Sequence, residues 1–286
     1  MKENLLAAKQ RVRDVIAMAL AEDIGSGDIT TSGLLTGAEM GAAQAVAKAE
    51  MVVAGLDVFR ETFRFLDRDI RFTAHVEDGA AVKSGEVLAV VQGRLMSILS
   101  AERVALNLLQ RMCGIATLTR RFVAVVEGTG AKVVHTRKTA PGLRVLDTYA
   151  VRTGGGYSHR GGLFDGVLIK ENHIAAAGGI AAAVLRVRRR MPLTVKVEVE
   201  AETLPEVEQA LAAGADVIML DNMSIEEMKA AVSIVAGRAS LEASGNVTLA
   251  NIGDIAATGV QYISSGALTH SVIAADISLL VKCRDE

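Results

Sequence analysis

Between Lys132 and Lys170 the sequence places Lys132, Arg137, Lys138, Arg144, Arg152, Arg160 and Lys170, with His159, against only Asp147 and Asp165. The chain as a whole carries a formal net charge of −2, so this excess is local rather than a global field for nucleic acid or an anionic membrane. Arginine offers a planar fork of donors to carboxylate and phosphate oxygens, and the cluster reads as a recognition site for a small, multiply charged anion. A solvated basic face accounts for Arg144 and Lys132. It fits Arg137 and Lys138 poorly, because they stand at the end of an apolar strand beside Thr139 and the turn Pro141-Gly142.

A second set of residues is acidic. Leu193 to Glu200 alternates Val195, Val197 and Val199 with Lys196, Glu198 and Glu200, so at period 2 the valines share one face and the charges the other. Lys196 and Glu198 are expected to form a buried pair supporting Glu200. Glu200 and Asp221, each at a strand end, supply the oxygen donors that suit Mg²⁺, which keeps places for water and phosphate oxygens. Glycine-rich turns form a third set. The loop from Gly154 to Gly162 holds Gly154-Gly-Gly156 and Gly161-Gly162, whose amides are expected to approach an anion. Glu242-Ala-Ser-Gly-Asn246 and Ser264-Ser-Gly-Ala267, each after a strand and before a helix, read as cups for a phosphate monoester. No nucleotide loop of the GxxxxGKT or GxGxxG type occurs.

The elements that must position these groups follow from periodicity. Lys132–His135, Gly166–Ile169, Leu193–Val199, Asp216–Leu220, Ser240–Leu241 and Tyr262–Ile263 read as strands. Ile174–Arg190, Leu204–Ala213, Ser224–Ala236 and Leu249–Thr258 between them read as helices. Such alternation predicts parallel β/α units in a closed or nearly closed barrel, with a doubly wound open sheet as the other arrangement. In a barrel the strand ends converge on one mouth, where barrel enzymes place their chemistry. Before it, an amphipathic helix over Leu5–Glu22 and β-like segments at Gln44–Lys48, Arg71–Val76 and Glu86–Gln92 predict a separate α/β region.

Composition agrees. Of 286 residues half are hydrophobic, 3% are aromatic and 27 are glycine, which suits packed β/α units and excludes disorder or a fibrous repeat. Cys113 and Cys283 are too far apart for a cysteine zinc site or a disulfide framework, which points to a reducing cytoplasm. The uncharged stretch Ile255–Ala275 is interrupted by Gln261, Ser264, Ser265, Thr269 and His270, so no membrane span is expected.

Several segments together resemble the quinolinate phosphoribosyltransferase family. They are His135-Thr-Arg-Lys-Thr-Ala-Pro-Gly142, Gly154-Gly-Gly-Tyr-Ser-His-Arg160, Val167-Leu-Ile-Lys-Glu-Asn-His173, Glu198-Val-Glu200, Met219-Leu-Asp-Asn222 and Ser265-Gly-Ala-Leu-Thr-His270. Glu22-Asp-Ile-Gly-Ser-Gly-Asp-Ile-Thr30 and Glu102-Arg-Val-Ala-Leu-Asn107 match as well, so the resemblance spans nearly the whole chain. It implies an N-terminal open-faced α/β sandwich over residues 1–106, with 274–286 packing back on it, and a C-terminal incomplete β/α barrel over 107–273. The implied reaction joins 5-phosphoribosyl-1-pyrophosphate to quinolinate, with loss of CO₂ and with Mg²⁺, to give nicotinate mononucleotide for NAD biosynthesis.

The resemblance also assigns roles. Arg103 would reach the site of a partner subunit in a homodimer with shared active sites, or in a larger oligomer. Arg137, Lys138, His159, Arg160 and Lys170 would surround the dicarboxylate and neighbouring phosphates. Lys138, Lys170, Glu200 and Asp221 would be the catalytic groups, Glu200 and Asp221 serving metal and ribose. Ser244, Gly245, Asn246, Ser265, Gly266 and His270 would hold the 5′-phosphate. The family commonly has Asp where this chain has His135, an extra cation on the face of Arg137.

Three other readings define the alternatives. A paralogue of the molybdenum-transport-associated type would take another base, a Schiff-base aldolase would use Lys138 or Lys170, and a silent anion-binding protein would release no pyrophosphate.

Overall fold

Alternation of half-buried Ala42, Gln44 and Val46 with buried Ala43, Ala45 and Ala47 marks a strand with one covered face. The computed structural model describes residues 8–282. In chain order its strands are β1 (Met40–Ala47), β2 (Met51–Val52), β3 (Arg71–Ala74), β4 (Ala81–Val82), β5 (Val87–Arg94), β6 (Lys132–Val134), β7 (Val167–Ile169), β8 (Val197–Ala201), β9 (Val217–Asp221), β10 (Ser240–Ser244), β11 (Tyr262–Ser264) and β12 (Ile277–Lys282). The chain forms two units: Met1–Arg120 with Ala140–Gly155 and Val272–Glu286, and Arg121–Thr139 with Gly156–Ser271. The helix Leu95–Val125 runs unbroken through residue 106, where the sequence-based division was drawn.

In the first unit four antiparallel strands lie in the order β12-β1-β5-β3, and β2 pairs with β4. The late strand β12 returns beside β1, with Ile277 opposite Ala47 and Lys282 opposite Ala42. Helix Leu56–Leu66 packs its buried Phe59 and Phe63 edge to face, ring centres 5.0 Å apart, and Phe59 reaches Phe72 of β3 at 6.2 Å. Lys9–Ile24 forms the opening helix, burying Val12, Val15, Ile16 and Leu20. The expected start at Leu5, like Cys283, lies outside the described residues. Cys113 is buried.

The second unit is the sheet that carries the mouth. Six parallel strands run in the order β6-β11-β10-β9-β8-β7, so the first of them in the chain pairs with the last, while β6 and β7 are both edges. This is an incomplete β/α barrel. One bridge extends the β6 edge: Tyr157 is paired in parallel with Val134, and its amide donates to the Val133 carbonyl at 2.8 Å. Val197, Val199, Ile218, Leu220, Leu241, Ala243 and Ile263 are at most 2% exposed, while Glu198, Glu200, Met219, Asp221, Glu242, Ser244 and Ser264 occupy the alternate positions.

The sheet agrees with the barrel rather than the doubly wound expectation, and three elements differ from the reading of their sequence. The helix expected over Ile174–Arg190 is two helices, Glu171–Ala177 and Ile180–Arg188, because Gly178 and Gly179 adopt φ of +83° and +127°. The helix expected over Leu249–Thr258 is reduced to Ile252–Ala256, preceded by a turn in which the Thr248 amide donates to Asn251 Oδ1 at 2.8 Å. The strand expected from Leu193 starts at Val197, since Leu193 is exposed and the Val195 amide donates to the Pro192 carbonyl at 3.1 Å.

Candidate active site

Parallel register delivers the strand-end residues to one place. Glu200 of β8 is level with Met219 of β9, Glu242 of β10 is also level with Met219, and Asp221 is level with Ser244. Together with the loop after β6 they line a cleft of about 380 Å³. Of the predicted residues, Arg137, Lys138, His159, Arg160, Lys170, Glu200, Asp221, Ser244, Gly245 and Asn246 line it, and so does His135. Gly266 adjoins it, because a methyl placed there would lie 3.0 Å from Lys138 Cδ and 2.8 Å from His270 Cδ2. The Lys138 carbonyl accepts from Thr269 Oγ1 at 2.8 Å, which fastens the β6 loop to the β11 loop. His270 is exposed, its Nδ1 2.7 Å from Ser271 Oγ. Arg103 is exposed on helix Leu95–Val125, in the first unit.

At the cationic side, burial and the neighbouring Arg137 charge both lower the pKa of Arg160, whose Nη1 donates to the Gly166 carbonyl at 3.3 Å. Two guanidinium groups close enough to repel make a place for a dianion. At the acidic side, Lys170 Nζ pairs with Glu200 Oε2, and Asp221 Oδ2 accepts from Asn222 Nδ2 at 2.9 Å. Glu200 and Asp221 are hard oxygen donors on adjacent strand ends, and that donor chemistry fits Mg²⁺.

Under the cleft lies a charged group that the sequence did not disclose as a unit. His159 Nε2 is 3.1 Å from Glu198 Oε2 and 3.3 Å from Glu242 Oε2, with both glutamates buried. Burial opposes a charged ring, but the two carboxylates outweigh it and push the His159 pKa up to about 10. Burial likewise pushes the Glu198 carboxyl up, against the pull of His159. Nε2 is the ring nitrogen that faces the two acids, and it donates its proton to them.

Three expectations are corrected. Lys196 is exposed, and Glu198 pairs with His159 instead, because β8 begins one residue after Lys196. The amides of Gly161 and Gly162 donate to Asp165 at 2.7 and 3.0 Å, so the chain's own carboxylate takes the place expected for a bound anion. Ser265 is buried, its Oγ donates to the Val247 carbonyl at 3.0 Å and its amide to the Val134 carbonyl at 3.2 Å, so it braces the turn after β10 instead of facing a phosphate. By contrast, the Gly245 and Asn246 amides donate to no group among the described residues.

The descriptions "Quinolinate phosphoribosyl transferase, N-terminal domain" and "Quinolinate phosphoribosyl transferase, C-terminal domain" match residues 28–113 and 115–280. The chain belongs to the quinolinate phosphoribosyltransferase family. It is 45% identical to the Bacillus subtilis "Probable nicotinate-nucleotide pyrophosphorylase [carboxylating]", covering 93% of this chain and 91% of that one. A "Quinolinate phosphoribosyltransferase [decarboxylating] 2, mitochondrial" from Nicotiana glauca is 43% identical, over 94% of this chain and 82% of its own. Among solved structures, the nicotinate-nucleotide pyrophosphorylase of Francisella tularensis superposes with a TM-score of 0.91 at 42% identity, covering 96% of each chain. For a member of this family, the cleft at the barrel mouth is the place where fold and residue chemistry coincide.

Proposed function

We infer that the chain transfers a phosphoribosyl group from 5-phosphoribosyl-1-pyrophosphate to quinolinate with decarboxylation, giving nicotinate mononucleotide, pyrophosphate and CO₂ for NAD biosynthesis. The observation that carries the reading is the shared cleft, with guanidinium and ammonium groups on one side and Glu200, Asp221 and the Ser244–Asn246 turn on the other. Arg137, Arg160 and Lys138 would hold the two carboxylates of quinolinate and aim its ring nitrogen at the ribose anomeric carbon. Such positioning is a large part of the rate in a reaction that needs no side-chain nucleophile.

As the bond to pyrophosphate breaks, positive charge grows on the ribose, and the carboxylates of Glu200 and Asp221 would stabilise it. The same pair would hold Mg²⁺, which when bound draws charge off the pyrophosphate oxygens. The new bond leaves the pyridine nitrogen cationic. The C2–carboxylate bond then breaks, its electron pair moves onto the ring, CO₂ leaves and C2 takes a proton. Lys170, paired with Glu200, would neutralise nearby phosphate charge, and Gly245, Asn246, Gly266 and His270 would hold the 5′-phosphate.

Arg103 on its exposed helix face would serve the site of a second copy, which makes a dimer the working unit. The near absence of cysteine suits a cytoplasmic enzyme. Purified protein given quinolinate, 5-phosphoribosyl-1-pyrophosphate and Mg²⁺ is expected to form nicotinate mononucleotide, whereas nicotinate in place of quinolinate is expected to give none. Equal turnover of the two bases would move the protein to a paralogous activity.

A further inference from the structure

Two asparagines, one just past β9 and one just past β10, have left-handed backbones. Asn222 has φ of +54° and Asn246 of +49°, with Gly245 at +95° before the second. Asparagine tolerates this region better than most side chains, but two instances facing one another on neighbouring strand ends mark a shaped turn. Their side chains are joined. Asn222 Oδ1 accepts from Asn246 Nδ2 at 3.1 Å, while Asn222 Nδ2 donates to Asp221 Oδ2 at 2.9 Å. A carboxylate can only accept, which fixes the orientation of the Asn222 amide.

The backbone repeats the connection, since the Asn222 amide donates to the Ser244 carbonyl at 3.0 Å. A methyl group on Gly245 would overlap Asn222 Oδ1, so glycine is what lets this side chain lie across the turn. From behind, the Asn246 carbonyl accepts from Asn251 Nδ2 at 3.0 Å. The result is a continuous run of hydrogen bonds from the Asp221 carboxylate to the turn whose Gly245 and Asn246 amides remain available.

We propose that Asn222 is a positioning residue that ties the Asp221 carboxylate to the Ser244–Asn246 turn, so that ribose and 5′-phosphate are recognised as one rigid unit. The proposal rests on the transferase reading above and adds to it a residue of the cleft wall that acts by holding its neighbours. Asn222 is exposed, so its bonds add little to folding stability and its loss is felt in ligand geometry. No single neighbour does the same work: Ser244 reaches only the turn, and Asp221 reaches only the ribose side.

The test uses Asn222→Gly, which keeps the left-handed backbone and deletes both side-chain bonds, and Asn222→Asp, which keeps an acceptor for Asn246 but sets a like charge against Asp221. Ribose 5-phosphate and quinolinate are titrated separately by calorimetry without metal, and KM and kcat for 5-phosphoribosyl-1-pyrophosphate are measured with Mg²⁺. Ribose 5-phosphate affinity is expected to fall about tenfold in Asn222→Gly, as the bond that orients the Asp221 carboxylate and the amide bond to Asn246 are both lost, and further in Asn222→Asp. Quinolinate affinity is expected to stay within about twofold of wild type, with the rise confined to KM for the phosphoribosyl donor. Unchanged ribose 5-phosphate affinity in both variants, or a parallel loss for quinolinate, overturns the tie. Wild-type protein that binds no ribose 5-phosphate overturns the transferase reading itself.

Discussion

The Nε2 of His159 lies 3.1 Å from the Glu198 carboxylate, in the wall of a cleft that has Arg137, Lys138 and Arg160 on one side and Glu200 and Asp221 on the other. With Glu242 at 3.3 Å the ring is held between two buried acids, and its charge is coupled to folding. In the unfolded chain His159 has its ordinary pKa of 6.5, and in the folded chain it is raised to about 10. A raised pKa contributes stability that is full below about 6.5 and lost as pH climbs through about 10. The raised Glu198 carboxyl acts in the same direction. The melting temperature is therefore expected to fall between those pH values, and His159→Gln is expected to flatten the fall. Calorimetric melts across this range check it; an equal slope in the variant would remove His159 from the account.

Glu242→Ala leaves His159 with one carboxylate and opens a space in the barrel interior. His159 keeps Glu198 as its partner, so the cost is that of one hydrogen bond to a charged group and of the space left behind, about 2 kcal/mol. Denaturant unfolding reads this directly, and a loss well below about 1 kcal/mol would mean that water already replaces the contact.

Arg137→Ala is expected to weaken quinolinate about a hundredfold, as for loss of a buried charged partner, while leaving ribose 5-phosphate affinity within about twofold. Calorimetric titration with each ligand separates the two. Unchanged quinolinate affinity would sink the assignment of Arg137 to the dicarboxylate.

Gly114→Ala tests the first unit. The glycine is buried in helix Leu95–Val125, and a methyl group there would overlap the Ile273 carbonyl, with the carbonyl carbon 3.2 Å away. Backbone cannot swing aside as a side chain can, so a cost of about 2–3 kcal/mol is expected. A melting temperature unchanged from wild type would show that the segment after Ser271 yields.

Much of this site was legible because parallel β/α units carry the polar residues that end their apolar runs to a single mouth. Glu200, Asp221 and Ser244 were found that way, and all line the cleft. What failed was the partner of each group. Gly161-Gly162 marked a close backbone approach, but a glycine does not say what approaches, and the approaching group is Asp165 of the same loop. Ser265 sat in a phosphate-like turn, yet its hydroxyl serves Val247. Lys196 shares the parity of Glu198, but a strand start displaced to Val197 left it in solvent. Asn222 was invisible as a tie because its role depends on a left-handed backbone and on the register of β9 with β10. The break at Gly178-Gly179 was written in the sequence and was hidden by the alanine-rich runs on both sides.

The central claim is tested most directly by quinolinate labelled in its 2-carboxylate, incubated with 5-phosphoribosyl-1-pyrophosphate and Mg²⁺. The account predicts labelled CO₂, nicotinate mononucleotide and pyrophosphate in equal amounts, none of them formed without the phosphoribosyl donor. Pyrophosphate release with the label retained in the nucleotide, or no release at all, would contradict it.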